Sequence, residues 1–221
     1  MPHSQPAPSQ FELRFDRPAE PASPASDWPW PLPGTAAADH APHVLELIRL
    51  ETPLGPMMAG ATAEGVCLLE FFERRELQTE LQDLAQRFNA RVVERDNAHL
   101  RQLRAQLTEY FAGARQEFSV PLITPGSAFQ QQVWQVLRQI PYGHTRSYGQ
   151  QALALKKPEA VRAVAAANGQ NRIAIVIPCH RVIGADGKLT GYAGGLWRKQ
   201  RLLELEQRHR QPTPGQQIAL F

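Results

Sequence analysis

Cys179 stands in the run Ile177-Pro178-Cys179-His180-Arg181-Val182, and this is where the chain's chemistry concentrates. A thiolate is a strong nucleophile, and a nearby imidazole can lower the thiol's pKa or accept its proton. His180 adjoins Cys179 in sequence, but adjacency does not make two side chains meet, and a water can bridge them. A third group is needed to orient the imidazole. Glu206 is the candidate, because carboxylates are scarce in this half of the chain. The chemistry implied is covalent attack by a positioned thiol. A structural core thiol is the alternative these residues alone leave open. Cys67, within the apolar run Gly65–Phe71, reads as an inert core thiol. Two cysteines cannot form a disulfide framework or a four-cysteine zinc domain, and no close Cys/His ligand spacing is evident. No metal site and no cofactor are expected.

A second constellation lies just upstream. Ala160, Ala163, Ala165, Ala166 and Ala167 leave one helix nearly bare, with Arg162 the one long basic side chain in its middle. Small side chains let a helix lie close in a groove, and one long residue can fill the space left by an extruded base. An alanine-rich helix packed on the core is the competing explanation. Charge is unevenly divided. Residues 121–210 carry 13 Lys/Arg against 4 Asp/Glu, a balance of +9, while the rest carries 11 against 17. A basic C-terminal half suits a polyanion, although a solvated basic surface has the same count.

The elements that must hold these residues follow from patterning. Ser127-Ala128-Phe129-Gln130 and Ser147-Tyr148-Gly149-Gln150 each have the form of a capping box. The first starts a helix that ends before Pro141-Tyr142-Gly143, and the second a helix running to about Leu155. Pro158 suits the first position of the next helix, which runs to about Asn168 with Gly169 as its C-cap. Two short helices joined tightly suggest a helix-turn-helix, or a helical hairpin with no DNA role. Residues 172–177, apolar and mostly β-branched, read as a short buried strand delivering Cys179 at its end. A turn at Asp186-Gly187, the loop Gly191–Gly195 and a helix over 196–208 follow, with Leu196, Leu202 and Leu203 facing inward. Residues 43–120 read as a small α/β unit with strands at 44–51 and 65–71 and helices near 76–88 and 97–112. Residues 1–42, rich in Pro, Ala and Ser, read as a disordered tail in which Trp28-Pro29-Trp30 can dock elsewhere. No apolar run approaches a membrane span, and no secretory signal is evident, so a soluble cytoplasmic protein is expected.

Together these residues resemble the methylated-DNA–protein-cysteine methyltransferases, the O6-alkylguanine-DNA alkyltransferases. The likeness is close over roughly 121–207. It rests on Phe129-Gln130, Val133-Trp134, Ile140–Gly143, Ser147-Tyr148, Ala163-Val164, Asn171, Ile177–Val182, Gly191–Gly195 and Leu202-Leu203. It weakens over 43–120 and is absent over 1–42. The resemblance implies an α+β fold: a small ribonuclease H-like α/β domain over 43–120, then a mainly helical alkyltransferase domain over 121–209 containing a helix-turn-helix. It implies a monomer that flips O6-alkylguanine, and O4-alkylthymine, out of duplex DNA and transfers the alkyl group irreversibly to Cys179, once per molecule. His180 would act as base through a water, Glu206 would polarise it, and Asn171 would organise the active-site turn. Tyr148 would help rotate the nucleotide and donate a proton to the guanine ring, and Arg162 would replace the flipped base. The carbonyls of Cys179 and Val182 would accept from the guanine amino group, Tyr192 would wall the pocket, and the Ala193 N–H would hold the guanine oxygen. The small Ala193-Gly194-Gly195 run suggests room for groups larger than methyl. The zinc-bound cysteine cluster of members fused to a transcriptional activator is missing, so no regulatory phosphotriester function is expected.

Residues 210–221 read as a flexible tail whose end, Gln217-Ile218-Ala219-Leu220-Phe221, resembles the peptide by which bacterial repair proteins bind the replication sliding clamp. Gln217 would anchor it, and Leu220 and Phe221 would fill a preformed pocket. A tail packed on its own domain, or without a partner, is the alternative. Three other functions compete with alkyl transfer. A non-catalytic alkylguanine-binding protein would lack the cysteine. A Cys-His hydrolase would need turnover and an oxyanion hole. A helix-turn-helix regulator would leave Cys179 without a purpose.

Overall fold

The computed structural model describes residues 42–210. Gln217, Leu220, Phe221 and the Trp28-Pro29-Trp30 cluster lie outside them.

The N-terminal half is a four-stranded sheet of β1 (His43–Leu50), β2 (Met57–Ala61), β3 (Val66–Phe71) and β4 (Ala90–Glu94), in the order β3-β2-β1-β4. The first three strands form antiparallel pairs, and β4 joins β1 in parallel after the crossover helix α1 (Leu77–Arg87). The β1–β2 turn needs Gly55, which sits at φ +106° with its N–H on the Thr52 carbonyl. β2 and β3 are buried along their whole length because both faces are covered. One face packs Leu45, Leu47, Met58, Cys67 and Leu68 against Leu77, Leu81 and Leu84 of α1. The other packs Met57, Leu69 and Phe71 into a core shared with α2 (Ala98–Phe111) and with the C-terminal half.

That shared core joins the two halves. β3 would otherwise be an exposed edge with unpaired backbone groups. It is covered on that side by residues 121–123 and 172–174. The Val66 N–H bonds to Pro121 O at 2.9 Å and Ile123 N–H to Val66 O at 2.9 Å. Leu69 N–H bonds to Arg172 O at 2.8 Å, and Ala174 N–H returns to Leu69 O at 2.8 Å.

The C-terminal half is built on α3 (Ala128–Arg138), α4 (Tyr148–Ala154), α5 (Val161–Gly169) and α6 (Leu196–Arg208). Two-residue strands β5 (Arg146–Ser147) and β6 (Val182–Ile183) pair in parallel beside them. Capping boxes are complete at Ser127/Gln130 and Ser147/Gln150. α4 and α5 form the two arms of a helix-turn-helix and are locked by a buried amide pair. Asn168 Nδ2 donates to Gln151 Oε1 at 2.7 Å, and Gln151 Nε2 donates to Asn168 Oδ1 at 3.1 Å. Trp134 of α3 donates its indole N–H to the Ala167 carbonyl at 2.9 Å, seating α5 from behind.

Four local expectations are corrected. Residues 172–177 are not a strand: only Ile173 bridges to Leu69, and the chain then turns sharply, with Ile175 at φ +70°. A short apolar run reads alike in a strand or a buried turn, so its pattern could not separate the two. Residues 158–160 form a 3-10 turn before α5, rather than its first turn. Gly169 is the last residue of α5, and the C-cap is Gln170, whose φ of −94° needs no glycine. Leu196 is 47 % exposed, because α6 turns Arg198, Lys199, Leu202, Leu205 and Glu206 inward instead. Strands β2 and β4 escaped the sequence reading, β2 because Met-Met-Ala-Gly-Ala carries no β-branched residue.

Ser147→Ala removes the acceptor for the Gln150 N–H at the start of α4. It is expected to cost about 1 kcal/mol, read by urea denaturation.

Candidate active site

Asn171 organises the turn that presents Cys179. It is buried, its Oδ1 accepts the Ile173 N–H at 3.0 Å, and its Nδ2 donates to the Ile177 carbonyl at 2.8 Å. The same Nδ2 reaches Cys179 Sγ at 3.3 Å. The Ile175 backbone is held in a conformation that β-branched residues avoid, so the turn stores strain beside the thiol. Pro178 then starts a 3-10 turn, Cys179–Arg181, which leaves Cys179 half-buried and swings His180 and Arg181 inward.

His180 and Arg181 both meet Glu206 on α6. His180 Nε2 lies 2.8 Å from Glu206 Oε1. Arg181 donates from Nε to Oε2 at 2.8 Å and from Nη2 to Oε1 at 2.9 Å. Two more donors complete the set: the Tyr110 hydroxyl at 2.8 Å and the Gly143 N–H at 3.0 Å. Burial opposes the charge on Glu206, yet His180 and Arg181 together hold its carboxyl far below the usual range. Burial holds the His180 imidazole below its ordinary value, with Glu206 opposing. Burial pushes the Cys179 thiol up to about 11, against the Asn171 hydrogen bond, so the resting group is a thiol. His180 Nδ1 is buried and has no partner among the described residues, and no direct hydrogen bond joins it to Cys179.

Cys179 opens on a cavity of about 750 Å³ that Tyr148, Asn171, Tyr192, Ala193 and Gly194 also line. Tyr148 donates its hydroxyl to the Thr190 carbonyl at 3.3 Å, and burial raises its pKa. The Tyr192 hydroxyl is buried without a partner among the described residues. Ala193 is exposed, and its N–H has no backbone acceptor there. The Cys179 carbonyl accepts from the Val182 N–H. The Val182 carbonyl is engaged by Lys199 Nζ at 2.5 Å, which leaves it one lone pair. On α5, Arg162, Ala163 and Ala166 form an exposed strip. Tyr148 and Cys179 thus share one cavity with Tyr192 and Ala193, whereas Arg162 stands outside it on the helix surface.

Several residues with evident roles here escaped the sequence reading. Lys199 is fully buried and also bonds the Thr190 carbonyl at 2.5 Å, pinning the loop that leads to Tyr192. Burial draws its pKa down to about 8. Arg198 bonds the Leu54 and Gly194 carbonyls and stacks over Phe71, fastening the same loop to the N-terminal half. Tyr110 reaches Glu206 from α2. A basic pair opening the last helix and a tyrosine closing α2 look like ordinary surface and core, so no local pattern marks them.

The architecture is that of a two-part α+β protein whose sheet domain backs a helix-turn-helix, with the Cys179 thiol on a cleft beside it. Two family models match the chain. One, described as "6-O-methylguanine DNA methyltransferase, ribonuclease-like domain", covers residues 47–124, and the other, "6-O-methylguanine DNA methyltransferase, DNA binding domain", covers residues 128–208. A methylated-DNA–protein-cysteine methyltransferase of Methanosarcina acetivorans is 44% identical over 71% of this chain and 94% of its own length. Another, from Mycolicibacterium paratuberculosis, is 62% identical over 47% of this chain, which spans 63% of that relative. The crystal structure of Mycobacterium tuberculosis OGT in complex with DNA superposes with a TM-score of 0.65 at 41% identity, covering 74% of this chain and 94% of that one. The chain belongs to the methylated-DNA–protein-cysteine methyltransferase family.

Glu206→Gln leaves the buried Arg181 guanidinium without its anion. It is expected to lose about 3–5 kcal/mol of stability at pH 7, measured by urea denaturation. Because the folded pKa of Glu206 lies below its unfolded value, the wild-type advantage is fully present above that unfolded value. It should shrink as pH falls below about 4.3.

Proposed function

We propose that this protein repairs DNA by taking the alkyl group of O6-alkylguanine, and of O4-alkylthymine, onto Cys179 once per molecule. The observation that carries the proposal is Cys179 Sγ, held by Asn171 on a cavity walled by Tyr148 and Tyr192 beside the bare, exposed strip of α5. The domains at work are 43–120 as support and 121–209 as the DNA-binding, alkyl-accepting unit, acting as a cytoplasmic monomer. The complex of the Mycobacterium tuberculosis relative with DNA supports duplex DNA as the partner.

α5 lies in the groove and Arg162 fills the stack where the damaged nucleotide leaves it. Extrusion costs a few kcal/mol and less for a weakened pair. Tyr148 steers the rotated nucleotide, and Tyr192 flanks the base. The Ala193 N–H holds its oxygen, and the Cys179 and Val182 carbonyls face its amino group. The thiol proton passes through a water to His180, whose imidazolium is stabilised by ionised Glu206. The sulfur attacks the alkyl carbon and a C–S bond forms. The bond from that carbon to the guanine oxygen breaks, and its electrons stay with the base, which leaves neutral after taking a proton from Tyr148. The proton held by His180 is released to water and Tyr148 is reprotonated from water, so the thiol proton balances the one the base gains. A thioether has no hydrolytic route back, so the protein is consumed.

Incubation with a duplex containing O6-methylguanine is expected to place one methyl group on Cys179 and none on Cys67, read by peptide mass. Repeated turnover, or an unmodified Cys179, would defeat the reading.

The chain's end carries a second element of the proposal, supported by sequence likeness: Gln217, Leu220 and Phe221 dock on a bacterial sliding clamp. The Leu220→Ala/Phe221→Ala protein is expected to lose clamp binding in a pull-down while keeping methyl transfer. Unchanged capture would remove the clamp from the account.

A further inference from the structure

A buried charged cluster from the N-terminal half lines the Cys179 cavity and has no part in the transfer described above. Glu70 is the penultimate residue of β3, Arg74 lies in the turn before α1, and Glu80 is on α1, and they are 2 %, 6 % and 8 % exposed. Arg74 donates from Nη1 to Glu70 Oε1 at 2.7 Å and from Nη2 to Glu80 Oε1 at 2.5 Å. The same two nitrogens cross to the other half. Nη1 reaches the Asn171 carbonyl at 3.2 Å, and Nη2 reaches the Gly169 carbonyl at 3.0 Å.

Those two carbonyls have distinct meanings. Gly169 is the last residue of α5, the helix that bears Arg162. Asn171 is the residue whose amide touches the Cys179 sulfur. One planar guanidinium therefore ties the end of the groove-facing helix to the residue that seats the thiol, and two carboxylates hold that guanidinium in plane. Burying three charged groups is costly, and apolar side chains of similar size would bridge two domains at least as well. Two acids face one base, and burial pushes the Glu70 carboxyl up to about 8, against the pull of Arg74.

We propose that Arg74 is a positioning residue for alkyl transfer, acting from the N-terminal domain by gripping Gly169 and Asn171 so that the seat of the Cys179 sulfur is coupled to the placement of α5. The inference rests on the alkyl-transfer reading for its role in repair. The grip on the thiol can be tested without DNA. The ionisable groups that bear on Cys179 are Glu70 and Arg74 from this cluster, Lys199 from α6, Tyr148 from α4 and Tyr192 on the facing loop.

The test uses Arg74→Lys in the full chain, which keeps the charge but cannot span two carboxylates and two carbonyls in one plane. If that variant fails to fold, Arg74→Met with Glu70→Gln and Glu80→Gln replaces the cluster without leaving a buried charge unpaired, and its single-turnover rate constant is the readout, because losing the Glu70 charge lowers the Cys179 pKa by itself. The single-turnover rate constant at saturating protein is expected to fall by about tenfold to a hundredfold, with the dissociation constant for the alkylated duplex changed less than about twofold. In the free protein, the pH profile of Cys179 carbamidomethylation by iodoacetamide is expected to move to higher pH in Arg74→Lys, because the Asn171 donor on the sulfur is weakened. A folded variant with an unshifted profile overturns the inference, whatever the wild type does on DNA. A loss confined to duplex affinity overturns it as well. If the wild type transfers no methyl group but the variant's profile still shifts, the alkyl-transfer reading falls and the grip of Arg74 on Cys179 stands.

Discussion

A carboxylate can be buried only if its charge is met on every side, and Glu206 imposes that condition on the whole molecule. Its side chain is fully enclosed on α6, and its partners come from three separate places: Tyr110 on α2, the turn at Gly143, and His180 and Arg181 beside Cys179. None of these segments can shift far without leaving a buried charge short of a donor. The catalytic turn, the last helix and the N-terminal half therefore hold one arrangement. His180 is oriented as a consequence, and its free Nδ1 is left on the side away from the carboxylate.

The thiol depends on a second constraint of the same kind. β3 needs its edge covered, and Arg172–Ala174 cover it, which fixes where the chain enters the turn around Asn171. Asn171 closes that turn against the strained Ile175, and Cys179 emerges with an amide donor on its sulfur. The N-terminal sheet thereby sets the entry angle of the reactive residue, as well as filling space behind it. The raised pKa of Cys179 keeps the sulfur protonated at rest, the form that reacts slowly with oxidants.

Much of the secondary structure was legible. Ser127/Gln130 and Ser147/Gln150 announce helix starts because a cap is a local interaction within four residues, and both boxes are formed. Residues 172–177 misled because burial by sheet edge and burial by turn demand the same apolar side chains. Leu196 misled because α6 turns a cationic pair inward, against the usual cost of burying charge. That cost is met by backbone carbonyls, at Leu54 and Gly194 for Arg198 and at Val182 and Thr190 for Lys199, with the Glu73 carboxylate also on Arg198. The family, and with it the sheet-plus-helices architecture, was readable from Ile177–Val182 and the motifs around it.

The sequence by itself determined a thiol beside an imidazole, the bare helix bearing Arg162 and the capped starts of α3 and α4, because each is written within a few residues. Only the tertiary structure decided what surrounds that thiol. The N-terminal domain reaches the site through Tyr110 and Arg74, Lys199 occupies the Val182 carbonyl, and Cys179 and His180 share no direct hydrogen bond. The first depends on groups nearly a hundred residues apart meeting in a low-dielectric interior, and all depend on each buried polar atom finding its partner in the fold, which no local pattern names.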